Sequence, residues 1–235
     1  MTLAKRAVFF DLGGTLLVMR RDRIFRSVLA AEGYSSTVDR IHGAYAEAES
    51  SWLKRYGYRR LAPDKSVESY RRLDAMAFRR IFPRAPRSEA VRMSRLMREK
   101  WPKAEGKFPP RLYRDAEPTL ERLSRQGYEL GLISNAPPGT IDVVRKLGLD
   151  RYMSNCVISG DVGVSKPNPE IFRVALQRCD VKASESVHVG DVYEADIVGA
   201  RNAGLTGILV DRVGSSPSYE CPVIRTLLDI FPLLA

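Results

Sequence analysis

The sequence predicts an α/β protein built on a Rossmann-like parallel sheet, and two patterns support this fold class. Apolar runs typical of buried strands recur along the chain, and each ends in polar residues; they are Ala7–Phe10, Leu130–Ile133, Cys156–Ile158, Val187–Val189 and Gly207–Val210. Helix-like stretches separate the later runs, for example at Glu117–Gln126, Pro169–Cys179 and Asp196–Ala203. Alternating strands and helices favour a parallel sheet with right-handed crossovers. The carboxyl ends of all strands then meet at one edge, where open α/β sheets bind ligands.

The first apolar run is followed directly by the pentad Asp11-Leu12-Gly13-Gly14-Thr15. An acid at the end of a buried parallel strand projects into the ligand crevice of such a sheet. The two glycines let backbone come close to a ligand and supply N–H groups to an anion. A carboxylate held in such a loop is a candidate nucleophile toward phosphorus, and we expect Asp11 to have this role.

The segment after the pentad, from Val18 to Arg111, is patterned as helices and is strongly basic. Apolar residues recur in it at helical spacings, and prolines interrupt it and mark its exit. It holds 23 Lys and Arg against 11 Asp and Glu, a surplus of +12, while the rest of the chain holds 15 against 17. This surplus favours an anionic substrate, and the candidate contacts are Arg20, Arg21 and Arg23, which follow the pentad at the entry to the segment. Arg20 is taken as the predicted contact among them. The alternative is a solvated, arginine-rich face on a thermostable helical bundle.

Polar residues also follow two later strands at positions suited to chemistry. Ser134 and Asn135 end one strand, and Gly190 and Asp191 end another. Because the carboxyl ends of parallel strands share an edge, we expect these side chains to converge with Asp11.

Two more residues complete a set of four short motifs. Lys166 lies in the run Ser165-Lys166-Pro167-Asn168-Pro169, and Asp196 follows Asp191 by five residues. With these motifs in this order, the chain resembles the haloacid dehalogenase-like (HAD) hydrolase superfamily, in the subgroup with an inserted helical cap. The resemblance implies a Rossmann-like catalytic core formed by residues 1–17 and 112–235. It also implies a helical cap, residues 18–111, that closes over the core.

The resemblance implies a role for each residue around the nucleophile. Asp11 resembles the residue that takes up the phosphoryl group as an aspartyl-phosphate. Ser134 resembles the hydroxyl donor to the oxygens of that group, and Asn135 adjoins it. We expect Gly14 and Thr15 to contact the substrate from the loop after Asp11.

The resemblance also implies a lysine and a metal site. Lys166 resembles the cation that holds nucleophile and phosphate in place. Asp191 resembles a Mg²⁺ ligand, together with Asp11 and the carbonyl of Gly13. Asp196 resembles a second acid that supports the metal or pairs with the lysine. Mg²⁺ keeps several waters, so one or two carboxylates and a substrate oxygen suffice to bind it.

Gly13 departs from the phosphatase pattern, because most phosphatases of the superfamily carry an aspartate at this position. Glycine keeps the backbone carbonyl for the metal but lacks the carboxyl that acts as general acid and base. Such a group contributes typically 10²–10⁴-fold to the rate. We therefore expect slow or narrow phosphatase activity, a proton donor from elsewhere, or different chemistry.

Two other branches of the superfamily also lack this aspartate, and they remain open as alternatives. Haloacid dehalogenases attack carbon and need no metal. The presence of Asp191 and Asp196, which resemble metal-site acids, therefore disfavours this branch. Phosphonoacetaldehyde hydrolases use a cap lysine as a Schiff base, for which Lys54 is the candidate. The plainer interpretation of Lys54 is an exposed helix lysine.

Composition bounds the remaining possibilities. The sequence contains no run of 18 apolar residues, so no transmembrane helix is expected. The first strand begins within about six residues of the start, so no signal peptide is expected. Cys156, Cys179 and Cys221 lack metal-ligand spacing and are interpreted as reduced thiols of a cytoplasmic protein. His188, inside an apolar strand, is interpreted as a hydrogen-bonded core residue.

The expected partner is a small phosphorylated metabolite, with Mg²⁺ as cofactor and the protein a monomer or homodimer. Two binding functions are alternatives to catalysis. Nucleic-acid binding by the basic segment is disfavoured, because no recognition-helix signature, zinc spacing or aromatic platform accompanies the charge. A catalytically weakened phosphate-binding protein is the other alternative, because of Gly13.

Overall fold

The structure is a computed structural model that describes residues 6–18, 20–56, 67–105, 107–214 and 219–234. The chain divides into two compact units. The first comprises residues 1–18 and 111–235, and the second comprises residues 19–110.

The regular elements are numbered here in chain order. The strands are β1 (Ala7–Phe10), β2 (Leu17–Val18), β3 (Arg111–Leu112), β4 (Glu129–Ser134), β5 (Asn155–Ile158), β6 (Ser186–Gly190), β7 (Thr206–Val210) and β8 (Val223–Ile224). The helices are α1 (Arg20–Ala31), α2 (Val38–Tyr56), α3 (Val67–Ile81), α4 (Arg87–Glu105), α5 (Ala116–Arg125), α6 (Ile141–Lys146), α7 (Ser159–Val162), α8 (Pro169–Arg178) and α9 (Gly199–Asn202). A π-helical turn covers Tyr193–Val198, and a 3₁₀ helix covers Leu227–Leu233.

The first unit is organised around a six-stranded parallel sheet in the order β5-β4-β1-β6-β7-β8. The central strand β1 is buried on both faces. Val8 and Phe10 pack into a cluster with α5 and the 3₁₀ helix, whereas Ala7 and Phe9 pack into a cluster with α8 and α9. This two-sided burial explains why β1 is a continuous apolar run rather than an alternating one. The predicted α/β class with a Rossmann-like parallel sheet is confirmed.

The two short strands β2 and β3 lie outside this sheet. They pair antiparallel, with Leu17 opposite Leu112 and Val18 opposite Arg111. The chain therefore leaves the first unit and re-enters it at neighbouring positions, which is how an inserted segment can form a unit of its own.

The second unit contains the four helices α1 to α4 and has its own apolar core. Phe25 and Tyr45 meet edge to face in this core, with ring centroids 5.7 Å apart. Tyr34 and Phe78 make a similar edge contact at 5.2 Å. Lys54 belongs to α2, but its side chain lies outside the described part of the structure, so its proposed Schiff-base role stays a prediction.

The structure differs from the sequence expectation after β6. The stretch expected as one helix from Asp196 begins earlier, as the π-helical turn at Tyr193, and only then continues as α9. The polar residues after β5 form the short helix α7. The difference after β6 lies at the carboxyl edge of the sheet, where local contacts override periodicity.

Candidate active site

Asp11 lies at the carboxyl edge of the sheet, directly after β1. Its N–H donates to the carbonyl of Val189 at 2.8 Å, so the pairing of β1 with β6 continues through this residue. Because Phe10 pairs with Val189, Asp191 follows only two residues beyond that pair on the neighbouring strand. Neighbouring strands lie about 4.8 Å apart, so the register brings both acids to one place.

The loop after Asp11 folds tightly against itself. The N–H of Leu17 donates to the carbonyl of Leu12 at 2.7 Å, and the N–H of Gly14 donates to the carbonyl of Leu17 at 2.8 Å. Gly14 has φ of 89°, a left-handed conformation that glycine adopts without steric cost. Gly13 instead forms a β-bridge with Leu17. The loop is thus closed by its own backbone before the chain enters β2.

Lys166 connects two of the predicted acids. Its Nζ lies 2.6 Å from Oδ1 of Asp11 and 2.6 Å from Oδ1 of Asp196, and its side chain is 2 % exposed. Asn135 fixes the lysine backbone on both sides. Its amide donates to the Lys166 carbonyl at 2.9 Å, and its Oδ1 accepts from the Lys166 N–H at 2.8 Å. The structure therefore places the Asn135 side chain on Lys166.

Asp196 is fully engaged by neighbouring donors. Its Oδ1 accepts from Lys166 and from Nε2 of His188, 3.0 Å away, while its Oδ2 accepts from the N–H of Val192 at 2.9 Å. Gly190 makes this approach possible, because a Cβ at that position would lie 2.1 Å from Cγ of Asp196. Of the two roles that the resemblance offers for Asp196, the structure shows the pairing with lysine.

The buried charges shift each other's proton affinity. Burial raises the pKa of the Asp11 carboxyl to about 6, against the opposing effect of the Lys166 charge. Burial alone would lower the pKa of Lys166, but the carboxylates of Asp11 and Asp196 outweigh it and raise that pKa above its usual value. Burial opposes ionisation of Asp196, yet Lys166 and His188 hold its pKa below the usual range. Burial lowers the pKa of His188. Because an ionised carboxylate only accepts hydrogen bonds, the contact with Asp196 requires the ring to donate from Nε2.

Thr15 connects the loop after Asp11 to Asp191. It is completely buried, and its hydroxyl lies 3.5 Å from Oδ1 of Asp191. Asp191 itself is half-buried. The Thr15 side chain thus points to an acid of the site, and the Gly14 N–H is taken by Leu17 within the loop.

The two remaining predicted residues lie in different units. Ser134 ends β4 and is buried; because Leu132 pairs with Phe10, Ser134 lies one residue beyond the level of Asp11. Arg20 is the first residue of α1, in the second unit, and is partly buried. Its predicted contact with substrate stays a prediction.

The oxygen donors at this edge of the sheet are of the kind that bind Mg²⁺. No group of three or more His, Cys, Asp or Glu side chains able to hold a metal occurs among the described residues. With Asp196 engaged elsewhere, the candidates that remain are the carboxylates of Asp11 and Asp191 and the carbonyl of Gly13. A pair of carboxylates with a carbonyl, waters and a substrate oxygen is a donor set that suits Mg²⁺, so the residues fit the ion.

Two buried interactions were not identified from the sequence. His188 was expected to be hydrogen-bonded in the core, but its partner Asp196 was not foreseen. The ion pair between Arg212 and Asp115 was also missed; it joins residues far apart in sequence and contacts the Thr15 carbonyl. The available signal for His188 was its place inside an apolar strand, since a buried polar group requires a partner.

A cavity of about 790 Å³ lies elsewhere on the first unit. It is lined by Arg6, before β1, and Glu129, at the start of β4, which places it at the amino edge of the sheet. It is therefore at the opposite end of the strands from Asp11 and is not part of the candidate active site.

A family model and individual known proteins both match this chain. The family model described as haloacid dehalogenase-like hydrolase matches residues 5–204. A glyceraldehyde 3-phosphate phosphatase of Methanopyrus kandleri is 35% identical over 134 residues, which cover 52% of this chain and 58% of that protein. An (S)-2-haloacid dehalogenase 4A of Burkholderia cepacia is 32% identical over 128 residues, 52% of this chain and 55% of that protein. The chain therefore spans between half and three-fifths of the length of these curated relatives.

A solved structure matches over nearly the whole chain. The crystal structure of a HAD phosphatase from Thermococcus onnurineus superposes with a TM-score of 0.57 at 26% identity, covering 97% of each chain. Among the described helices, none is long and apolar enough to cross a membrane.

Proposed function

The chain belongs to the haloacid dehalogenase-like hydrolase family, and we propose that this hydrolase is a Mg²⁺-dependent phosphatase of a small phosphorylated metabolite. The observation that carries the proposal is Lys166, which touches Asp11 and Asp196 at 2.6 Å each. The carboxylates of Asp11 and Asp196 keep the buried ammonium of Lys166 charged. Its positive charge therefore lies beside the proposed nucleophile, where the phosphate would bind. The phosphatase of Methanopyrus kandleri supports the same reaction class.

The proposed reaction proceeds in two steps through Asp11. A carboxylate oxygen of Asp11 forms a bond to phosphorus, and the bond from phosphorus to the leaving oxygen breaks, so the leaving group departs as an alcohol after taking up a proton. Water then attacks the aspartyl-phosphate, which releases inorganic phosphate and restores the carboxylate. Lys166 stabilises the negative charge that develops on the phosphoryl oxygens.

The remaining residues of the site are proposed to hold metal and substrate. Asp11, the Gly13 carbonyl and Asp191 would hold Mg²⁺, which when bound offsets the charge of the phosphoryl group. Asp196 acts on this site through Lys166. Ser134, with its hydroxyl at the carboxyl edge, is the proposed donor to a phosphoryl oxygen.

Four further residues are proposed to contact the substrate or to support its binding, and none of them binds the metal. Arg20 is proposed to contact the anionic substrate from the second unit. Asn135 and Thr15 support binding through the residues they fix, Lys166 and Asp191. Gly14 supports it by allowing the loop after Asp11 to turn. The proposal also places this protein in the cytoplasm, where its free cysteines, Cys156, Cys179 and Cys221, would stay reduced.

The test of the proposed function is hydrolysis of p-nitrophenyl phosphate and of a panel of phosphorylated metabolites, with and without Mg²⁺. We expect turnover that is lost on chelation and restored by Mg²⁺. Asp11→Asn should lower turnover at least 10³-fold in a protein that stays folded by circular dichroism, because the amide keeps the shape and loses the nucleophilic oxygen. Asp142→Asn, on an exposed residue of α6, is the matched control. Wild-type-like activity in Asp11→Asn would exclude the proposed nucleophile.

A dehalogenase is a second candidate, and a specific observation favours it. Gly13 lacks the carboxyl of most phosphatases, and a haloacid dehalogenase is among the similar proteins. In that reaction the Asp11 carboxylate would attack carbon, halide would leave, and water would hydrolyse the ester. Release of chloride from 2-chloropropionate in the presence of chelator, without phosphatase activity, would support the dehalogenase and exclude the phosphatase.

A further inference from the structure

We infer that Arg212 is a positioning residue that fixes the nucleophile loop to the rest of the carboxyl edge. This inference deepens the proposed function and rests on it for its catalytic consequence. Arg212 lies in the segment after β7, and its side chain is only 11% exposed.

Arg212 contacts the nucleophile loop at a buried carbonyl. Its Nη2 donates to the carbonyl of Thr15 at 2.7 Å. Thr15 is completely buried, so no solvent can replace this donor. The same residue directs its hydroxyl to Oδ1 of Asp191. Thr15 is therefore fixed through its main chain by Arg212 and connects through its side chain to a proposed metal ligand.

Arg212 is itself held by two further groups, the carboxylate of Asp115 and the ring of Tyr113. Nη1 and Nη2 donate to the two carboxylate oxygens of Asp115 at 2.8 and 3.1 Å, a two-pronged pair. The guanidinium also stacks on the ring of Tyr113, with Cζ 3.7 Å from the centroid. Asp115 is anchored in turn by the N–H of Leu227, which donates to it at 2.8 Å. An arginine immobilised in this way can impose a position on the loop.

Tyr113, whose ring stacks on Arg212, contacts the same loop at a second point. The N–H of Tyr113 donates to the carbonyl of Leu16 at 2.9 Å, one residue after Thr15. Two consecutive carbonyls of this loop, those of Thr15 and Leu16, are thus held by Arg212 and by the Tyr113 that stacks on it. Asp11 lies only four residues before Thr15, so a shift of this loop moves the nucleophile relative to Lys166.

Only arginine has the geometry that this position requires. A planar guanidinium can donate to a carboxylate and a carbonyl while it stacks on a ring, whereas the ammonium of lysine is a compact point charge. A lysine at position 212 would keep the charge but would release either Thr15 or Asp115. The inference therefore predicts that Arg212→Lys does not substitute for arginine.

The first test measures the loop without reference to catalysis. Hydrogen–deuterium exchange of peptides covering residues 11–18 is compared in the wild type, Arg212→Ala and Arg212→Lys. We expect exchange in this loop to rise at least tenfold in both variants, while peptides from β4 keep their protection. Arg225→Ala is the matched control, because Arg225 lies nearby, donates to the Asp211 carbonyl at 3.0 Å and is 57% exposed. Unchanged exchange in the loop of both Arg212 variants would overturn the inference.

The second test measures the catalytic consequence. We expect kcat for p-nitrophenyl phosphate to fall about 10- to 100-fold in Arg212→Ala with a much smaller change in KM, because a misplaced nucleophile slows chemistry more than binding. Added guanidinium chloride at millimolar concentration should restore part of kcat in Arg212→Ala and none in Arg212→Lys, where the site is filled. A normal kcat in a variant with a loosened loop would overturn the positioning role.

The two tests separate the inference from the proposed function. If the wild type hydrolyses no phosphate ester, the proposed function fails, while the exchange measurement still decides whether Arg212 fixes the loop. If the wild type is active and Arg212→Ala is too unstable to study, Arg212→Lys gives the same decision, since it keeps the buried charge.

Discussion

Gly13 has no side chain that could transfer a proton from the loop after Asp11. The structure assigns the left-handed backbone of the glycine pair to Gly14, at φ 89°, whereas Gly13 bridges to Leu17. The backbone at position 13 therefore does not have the left-handed conformation that favours glycine.

The first prediction concerns leaving groups. Without a general acid at Gly13, we expect log kcat to fall steeply as the pKa of the leaving group rises, so that aryl and acyl phosphates react much faster than alkyl phosphates. Gly13→Asp should flatten this dependence by restoring a proton donor. The measurement is kcat for a series of phosphate esters with both proteins. A flat plot for the native protein would show that another residue already supplies the proton.

The second prediction concerns His188, which holds Asp196 from inside β6. His188→Leu removes the donor to Asp196 Oδ1 and leaves a buried oxygen with one donor fewer, so we expect a loss of about 1–3 kcal/mol in the free energy of unfolding. His188→Gln should lose less, because its amide can donate to the same oxygen. Urea denaturation measures both variants. Equal losses would indicate that packing against Phe172, rather than the hydrogen bond, is what His188 contributes.

Sequence reasoning at the residue scale predicted the acids, the lysine and their pairing, but not the groups that surround them. Asp11, Lys166 and Asp196 were identified as site residues, and the structure brings them within hydrogen-bonding distance. The partner of His188 was not predictable, because it depends on a π-helical turn that folds Asp196 back toward Gly190. Arg212 was missed because its partners, Asp115 and Thr15, are remote in sequence.

Helix α3 shows how a charged group is accommodated inside the helical second unit. Asp74 of α3 is completely buried, and its Oδ1 accepts from the Tyr45 hydroxyl at 2.5 Å and from Arg98 at 3.0 Å. Burial raises the pKa of Asp74, and the charge of Arg98 opposes this. Three helices are therefore joined by one carboxylate: α2 through Tyr45, α3 through Asp74 and α4 through Arg98.

The third prediction compares two acids of the same helix. Asp74→Ala leaves the Arg98 guanidinium and the Tyr45 hydroxyl without their shared partner, so we expect a loss of about 3 kcal/mol or more in the free energy of unfolding. Glu68→Ala removes an exposed i,i+4 pair with Arg72 and should cost less than about 0.5 kcal/mol. Thermal and urea unfolding of both variants measure the difference. Similar losses would show that the Asp74 network adds nothing beyond a surface ion pair.

Element by element, the sequence predicted the long strands better than the short ones. The runs that became β1, β4, β6 and β7 are buried and apolar, so composition alone identified them. β8 contains only two residues and is defined by its pairing with β7 rather than by its own pattern. The π-helical turn is likewise set by contacts of Asp196, which periodicity does not report.

At the scale of the whole molecule, the chain is a sheet unit interrupted by a helical unit. Val18 lies opposite Arg111 at the point of interruption, so the ends of the inserted segment are adjacent. The described contacts of Asp11, Lys166 and Asp196 come from residues of the first unit. The division of labour proposed from the sequence, with chemistry in one unit and substrate selection in the other, can therefore be tested by removing the insert.

The last prediction replaces residues 19–110 by Asn-Gly. The opposed pair Val18 and Arg111 can then be closed by a two-residue hairpin turn, for which Asn-Gly is the favoured sequence. We expect the shortened protein to fold, because the six-stranded sheet and both of its apolar clusters lie in the first unit. It should still hydrolyse p-nitrophenyl phosphate, whose leaving group needs little protonation, with a raised KM.

Alkyl phosphates give the decisive comparison for this shortened protein. If the helical segment supplies the proton that Gly13 cannot, turnover of alkyl phosphates should be lost while that of p-nitrophenyl phosphate persists. If the segment serves only to select the substrate, both should fall in the same proportion through KM. A shortened protein that is folded by circular dichroism yet inactive on every ester would contradict a self-sufficient catalytic unit, because it would place an essential group of the reaction between residues 19 and 110.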